Sequence, residues 1–230
     1  MMYNFLDSNV IIGYIFSLDF FNYKAGLFIS HEKYCFYSHN VKKEVIKIFN
    51  IKKNHYNSFL LILLRFFNGF SDNSLIGEND AHNYVSKLKH NLLLKKEDMH
   101  FAINVIWEDL DFNENHDAFE VKSIFHDFQN EFQGVHESRK CDIFNKLILI
   151  PNHTKKDNII QYYIKKDNLG QIFHGEDENI LLDANEFCKN HKDSNLRFVS
   201  ADQDFIKAIE ILMDKLCIEE VVNLKDFSNS

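Results

Sequence analysis

The sequence predicts an α/β fold, a central parallel sheet flanked by helices with a long, mostly helical insertion. Three observations lead there. Short apolar runs suited to strands lie near both ends of the chain, at 3–7, 34–38, 196–202 and 219–224. Stretches with apolar residues at helical spacing follow the first three of them. Between the two strand-bearing parts, residues 54–150 carry helical periodicity and no proline. Alternation of strand and helix implies parallel pairing, because each helix returns the chain to the same edge of the sheet. The whole chain, 1–230, reads as one domain, with 54–150 as an insertion or elaboration within it.

The first strand, 3–7, ends on Asp7, and Ser8 or Asn9 can cap the helix expected over 9–20. The second strand, "YCFYS" at 34–38, precedes a helix whose apolar face is Val41, Val45, Ile48 and Phe49. Helices are expected over 54–68, 79–94, 96–110 and 116–132. After Pro151 the stretch "NIIQYYI" at 158–164 reads as a helix, and 176–191 as a clearer one, with Ile180, Leu181, Ala184 and Phe187 in register. A strand at 196–202 ends in Asp202, a helix follows over 203–216, and "EEVVNL" at 219–224 supplies the last strand.

Composition bounds what this fold can do. The 230 residues are 45% hydrophobic and 26% charged, enough apolar material for a real core. A net charge of −8 argues against a surface that coats nucleic acid through bulk positive charge. It leaves room for a nuclease, whose metal-binding carboxylates themselves add negative charge. Cys35, Cys141, Cys188 and Cys217 form no CxxC pair and are expected as reduced thiols. No secretory leader is legible at the start. The greasiest stretch, "FLLILLRFF" at 59–67, is too short to cross a bilayer and contains Arg65. The expectation is a cytoplasmic protein with no membrane partner.

Carboxylates are the candidate chemistry. Two strands end in acids, Asp7 and Asp202, and Asp204 follows two residues later. In open α/β sheets, ligands bind beyond the carboxyl ends of the strands. Two helices offer further acids in their first turns, Glu44 and Asp177, with Glu176 and Glu178 as competitors for the place of Asp177. Carboxylates gathered at one point repel one another. Hard cations such as Mg2+ or Mn2+ relieve that repulsion. The chemistry that fits is phosphodiester hydrolysis, with a metal activating water and a second stabilising the leaving oxygen. Ser8, Asn9 and Ser200 can orient these acids, the first two acting on Asp7 and Ser200 on Asp202. Asp204 serves equally well as a helix cap, and His174 as a proton carrier or a surface residue. Lys42, Lys43, Lys47, Lys52, Lys53, Lys155, Lys156, Lys165 and Lys166 form basic stretches that can meet RNA phosphates or simply face water.

These residues carry a family resemblance. "FLDSNVIIGYIF" at 5–16 resembles the opening motif of PIN domains, a strand ending in Asp followed by a small hydroxyl residue and Asn. "YSHNVKKEVIKIF" at 37–49 is similar to their second motif, a strand and then a helix bearing a Glu. "GEDENILLDA" at 175–184 resembles the third, and "FVSADQDF" at 198–205 closely resembles the fourth. The resemblance covers roughly 3–50 and 170–225 and leaves the middle uncovered. It implies a PIN-like fold and a Mg2+- or Mn2+-dependent ribonuclease of the kind found in toxin–antitoxin systems and RNA processing. Asp7, Glu44, Asp177, Asp202 and Asp204 would be its metal-binding and catalytic residues, and RNA its substrate. An antitoxin protein or a second copy of the chain would be possible partners.

Two other readings compete. A catalytically weak PIN-like module would keep the fold and bind RNA or protein. A phosphotransferase of the haloacid-dehalogenase type also begins with a strand ending in Asp, but it needs an acid two residues on, where this chain has Asn9.

Overall fold

The computed structural model describes residues 1–88, 94–109, 116–153, 158–173, 176–191 and 195–227. Residues 89–93 of one expected helix, together with Leu110, Lys155, Lys156 and His174, lie outside them. The chain divides into two compact units. The first comprises 1–15, 21–48 and 140–230, and the second 16–20 and 49–139.

The first unit is built on a five-stranded parallel sheet. Its strands are β1 (Met2–Leu6), β2 (Cys35–Ser38), β5 (Ile148–Ile150), β6 (Asn195–Ser200) and β7 (Glu220–Asn223). They lie in the order β5-β2-β1-β6-β7. From β1 the chain moves outward through β2 to β5, then returns to the other side of β1 for β6 and β7. The strand order therefore reverses between β1 and β6, the place where an open parallel sheet leaves a crevice at its carboxyl edge. Registration is continuous there, from Met2 opposite Asn195 to Leu6 opposite Val199. Asp7 extends the ladder by donating its N–H to the Val199 carbonyl at 3.0 Å.

Helices flank this sheet. They include α1 (Ser8–Ile15), α2 (Asn22–His31), α7 (Asn158–Lys166), α8 (Asp177–Asn190) and α9 (Gln203–Leu212). The helix expected over 9–20 stops at Ile15, and α2, unread in the sequence, follows it. Gly13 makes this turn possible: a Cβ there would lie 3.0 Å from the Phe21 Cβ. The core is aromatic and aliphatic, with Phe5 stacked on Phe198 at 5.6 Å and Val10, Ile11, Val41, Ile180 and Val199 fully buried. Burying such side chains contributes about 1.5–3 kcal/mol each.

Two helices are much longer than the sequence pattern suggested. The helix α3 runs unbroken from His39 to Phe67, and α6 from Ala118 to Lys146. The expected break near residue 50 is absent because nothing in "IFNIKKNHY" stops a helix: it holds neither glycine nor proline. β5 emerges directly after α6, in a stretch that the sequence assigned to the helical middle.

The second unit contains residues 49–67 of α3, α4 (Glu78–Lys87), α5 (Lys96–Asp109) and residues 118–139 of α6. It also holds a short antiparallel pair, β3 (Leu75–Ile76) with β4 (His116–Asp117). Phe67 packs on Phe125 at 5.1 Å and on Trp107 at 5.9 Å. Residues 16–20 are tied into it by the buried His136, whose Nε2 takes the Ser17 N–H at 3.1 Å, and by a Lys52–Asp19 ion pair. Burial pushes His136 down to about 4, so it is a neutral core histidine. None of the described helices is long and apolar enough to cross a membrane.

Candidate functional site

The site lies in the first unit, at the carboxyl edge of the sheet where the strand order reverses. Asp7 sits at the end of β1 and is only 2% exposed. Its Oδ1 accepts the Ser8 N–H at 2.7 Å, and its Oδ2 accepts from Asn9 Nδ2 at 2.7 Å and from Ser200 Oγ at 2.8 Å. Asn9 also accepts the Ala201 N–H at 2.8 Å through its Oδ1. The ends of β1 and β6 are thus laced together around one carboxyl group.

Ser200, fully buried, serves a different acid from the one expected. Because β1 and β6 are in parallel register, Ser200 stands level with Asp7 and donates to it. Toward Asp202 it offers only an acceptor, taking that residue's backbone N–H at 3.0 Å.

Electrostatics single out Asp7. Burial raises its carboxyl from an ordinary 3.8 to about 7; the Ser200 and Ser8 hydrogen bonds pull the other way, and the charges of Glu44 and Asp177 push it further up. Glu44, from the second turn of α3, is also raised. Burial is the main cause, the Ser8 side chain opposes it by hydrogen bonding, and Asp177 and Glu176 add repulsion. The Glu44 Oε2 atom is buried without a hydrogen-bond partner. A buried acceptor left unpaired is costly, so an orphaned carboxylate oxygen on a residue that feels the charge of other acids invites a cation.

Folding therefore gathers three of the five sequence candidates, Asp7, Glu44 and Asp177, within electrostatic reach of one another. Of the two competitors for Asp177, Glu176 pairs with Lys43 at 3.1 Å and Glu178 accepts from Gln161 at 2.7 Å. Asp202 and Asp204 stand apart in role. Asp202 is the N-cap of α9, its Oδ1 accepting the N–H groups of Asp204 at 2.9 Å and Phe205 at 3.1 Å. Asp204, the alternative cap in the sequence, is instead a first-turn acid. Its side chain is 81% exposed and lies 3.8 Å from Lys207.

The donor chemistry of the trio, carboxylate oxygens with one orphaned, suits a hard divalent ion. Its geometry is open. Among the described residues, no three His, Cys, Asp or Glu side chains stand close enough together to hold a metal ion between them. Of the basic stretches, Lys43 is taken by Glu176, Lys52 by Asp19 and Lys53 by Glu137.

Sequence reasoning missed a second polar centre on the same unit. Asp183, in the middle of α8 and 1% exposed, accepts from Asn40 Nδ2 at 2.9 Å, from the His153 N–H at 2.7 Å and from His153 Nδ1 at 2.6 Å. Asn40 and Asn152 bond each other. Asp183 and His153 also line a cavity of about 320 Å³, together with Phe36, Ile150, Pro151 and Phe187. The one available signal was the polar sequence "PNH" directly after an apolar run; its partner lies 30 residues away.

Comparison with other proteins adds no second witness: the chain matches no protein-family model, no curated protein and no solved structure.

Proposed function

We propose that this chain is a PIN-like, divalent-metal-dependent endoribonuclease that hydrolyses RNA phosphodiester bonds. The observation that carries the reading is the buried Asp7 at the strand-order reversal, within electrostatic reach of Glu44 and Asp177, with one Glu44 oxygen buried and unpartnered. Asp7, Glu44 and Asp177 would hold Mg2+ or Mn2+. Bound there, the cation would supply an activated water and neutralise charge on the leaving oxygen. Ser8, Asn9 and Ser200 hold the Asp7 carboxylate in one orientation. Asp202 orders the first turn of α9, directly after the strand that carries Ser200.

The test is cleavage of a labelled single-stranded RNA with Mn2+. The wild type cuts it, and the Asp7→Asn/Asp202→Asn double variant does not. Equal rates from the two proteins defeat the proposal.

The open geometry of the acids favours a second reading, a PIN-like module that binds RNA or protein without cutting. The two differ in metal uptake, which a binding module has no need of. RNA bound equally well with and without Mn2+, and recovered intact, supports the module.

A further inference from the structure

Two cysteines that are far apart in sequence meet in the first unit. Cys188 lies in the last turn of α8 and is 3% exposed; Cys217 is exposed, in the segment leading into β7. The Cys188 Sγ donates to the Cys217 carbonyl at 2.6 Å. The Cys217 N–H donates to Asn185 Oδ1 at 2.7 Å, from the buried Asn185 one turn earlier on α8. The backbone of Cys217 is therefore held from both sides against one face of the helix end. The Cys188 sulfur therefore rests against the residue that carries the Cys217 thiol. Nothing in the proposed hydrolysis uses either of them.

We infer that Cys188 and Cys217 are a redox-active dithiol, which closes to an intramolecular disulfide when the protein meets a low-molecular-weight disulfide. The exposed Cys217 loses its proton to solvent and attacks one sulfur of the oxidant. A mixed disulfide forms and one small thiolate leaves. Cys188 then loses its proton to solvent and attacks the Cys217 sulfur, expelling the second small thiolate. Two electrons pass from the protein thiols to the oxidant, which is reduced to two thiols.

Burial sets this order. It pushes the Cys188 thiol up to about 12, so that this sulfur holds its proton and acts second. Closure then speeds up with rising pH. Product formation ties the end of α8, the helix that begins at Asp177, to the entry of β7. Cys141, which is exposed on α6, provides an internal contrast, since a lone thiol keeps its adduct.

The folded full-length chain is treated with oxidised glutathione at mildly alkaline pH. It is quenched with acid at intervals, alkylated, digested and read by mass spectrometry. The expected result is a linked Cys188–Cys217 peptide pair, two hydrogens lighter than the reduced pair. The glutathione adduct on Cys217 should disappear at least about tenfold faster than in Cys188→Ser, because the second attack is intramolecular. Cys217→Ser should leave Cys188 unmodified. An adduct on Cys217 as persistent in the wild type as in Cys188→Ser, or as persistent as that on Cys141, overturns the inference. So does a wild-type Cys217 that takes up no adduct and forms no link.

Discussion

Asp7→Asn is expected to make the metal-free protein less stable than the wild type at about pH 3 and more stable at about pH 8. Asp7 holds its proton far more tightly folded than unfolded, with its carboxyl raised from 3.8 to about 7. At about 1.4 kcal/mol for each tenfold change in proton affinity, that displacement corresponds to about 4 kcal/mol. The sign follows from which state binds the proton. Between about pH 4 and 7 the folded protein carries a proton there that the unfolded chain has lost. The contribution is full below that window and is lost as pH rises through it. Asparagine cannot ionise and so removes the slope. It also turns an amide N–H toward Asn9 Nδ2 and Ser200 Oγ, which now donate to Asp7, at a cost of about 1 kcal/mol. The variant should therefore fall about 1 kcal/mol below the wild type at about pH 3, below the window, and rise about 3 kcal/mol above it at about pH 8. Urea unfolding of chelator-treated protein, followed by circular dichroism at several pH values, measures both curves. Parallel curves for the two proteins refute the reasoning, since Asp7 would then ionise as freely folded as unfolded.

Asp202 combines charge with capping, and substitutions separate the two. Asp202→Ala should lose about 1 kcal/mol from the N-cap of α9, whereas Asp202→Ser should stay within a few tenths of the wild type and still slow RNA cleavage. Asp183→Ala strands the donors of Asn40 and His153 and should cost about 3 kcal/mol, read as a lower urea midpoint at unchanged slope. Gly13→Ala drives a methyl against Phe21 and should destabilise by about 1 kcal/mol despite the better helix propensity of alanine, a change visible in the same unfolding assay.

The parts of the fold legible in the sequence were those written locally. The strands β1 and β6 are apolar runs followed within two residues by an acid, Asp7 and Asp202, and their helices carry their own periodicity, so an α/β sheet followed. The helix α2 escaped because only Ala25, Phe28 and Ile29 of its ten residues are buried and no side chain caps it. β5 escaped because it is three residues long and starts one residue after a helix, with no glycine or proline between them. Register decides the rest. That Ser200 serves Asp7 depends on which residues of β1 and β6 stand level, and one residue of slip would have reversed it. The Asp183–His153 pair and the meeting of Cys188 with Cys217 join residues about 30 apart through tertiary packing, which no local pattern encodes.

The central claim is that Asp7, Glu44 and Asp177 form the seat of a hard divalent cation. Titrating the protein with Mn2+ while following the free-ion signal by electron paramagnetic resonance tests it most directly. The account predicts that the wild type removes Mn2+ from solution at about pH 8, that uptake fades toward pH 5 as protons compete for Asp7, and that Asp7→Asn takes up markedly less. Uptake that is absent, or equally strong in Asp7→Asn at every pH, contradicts it.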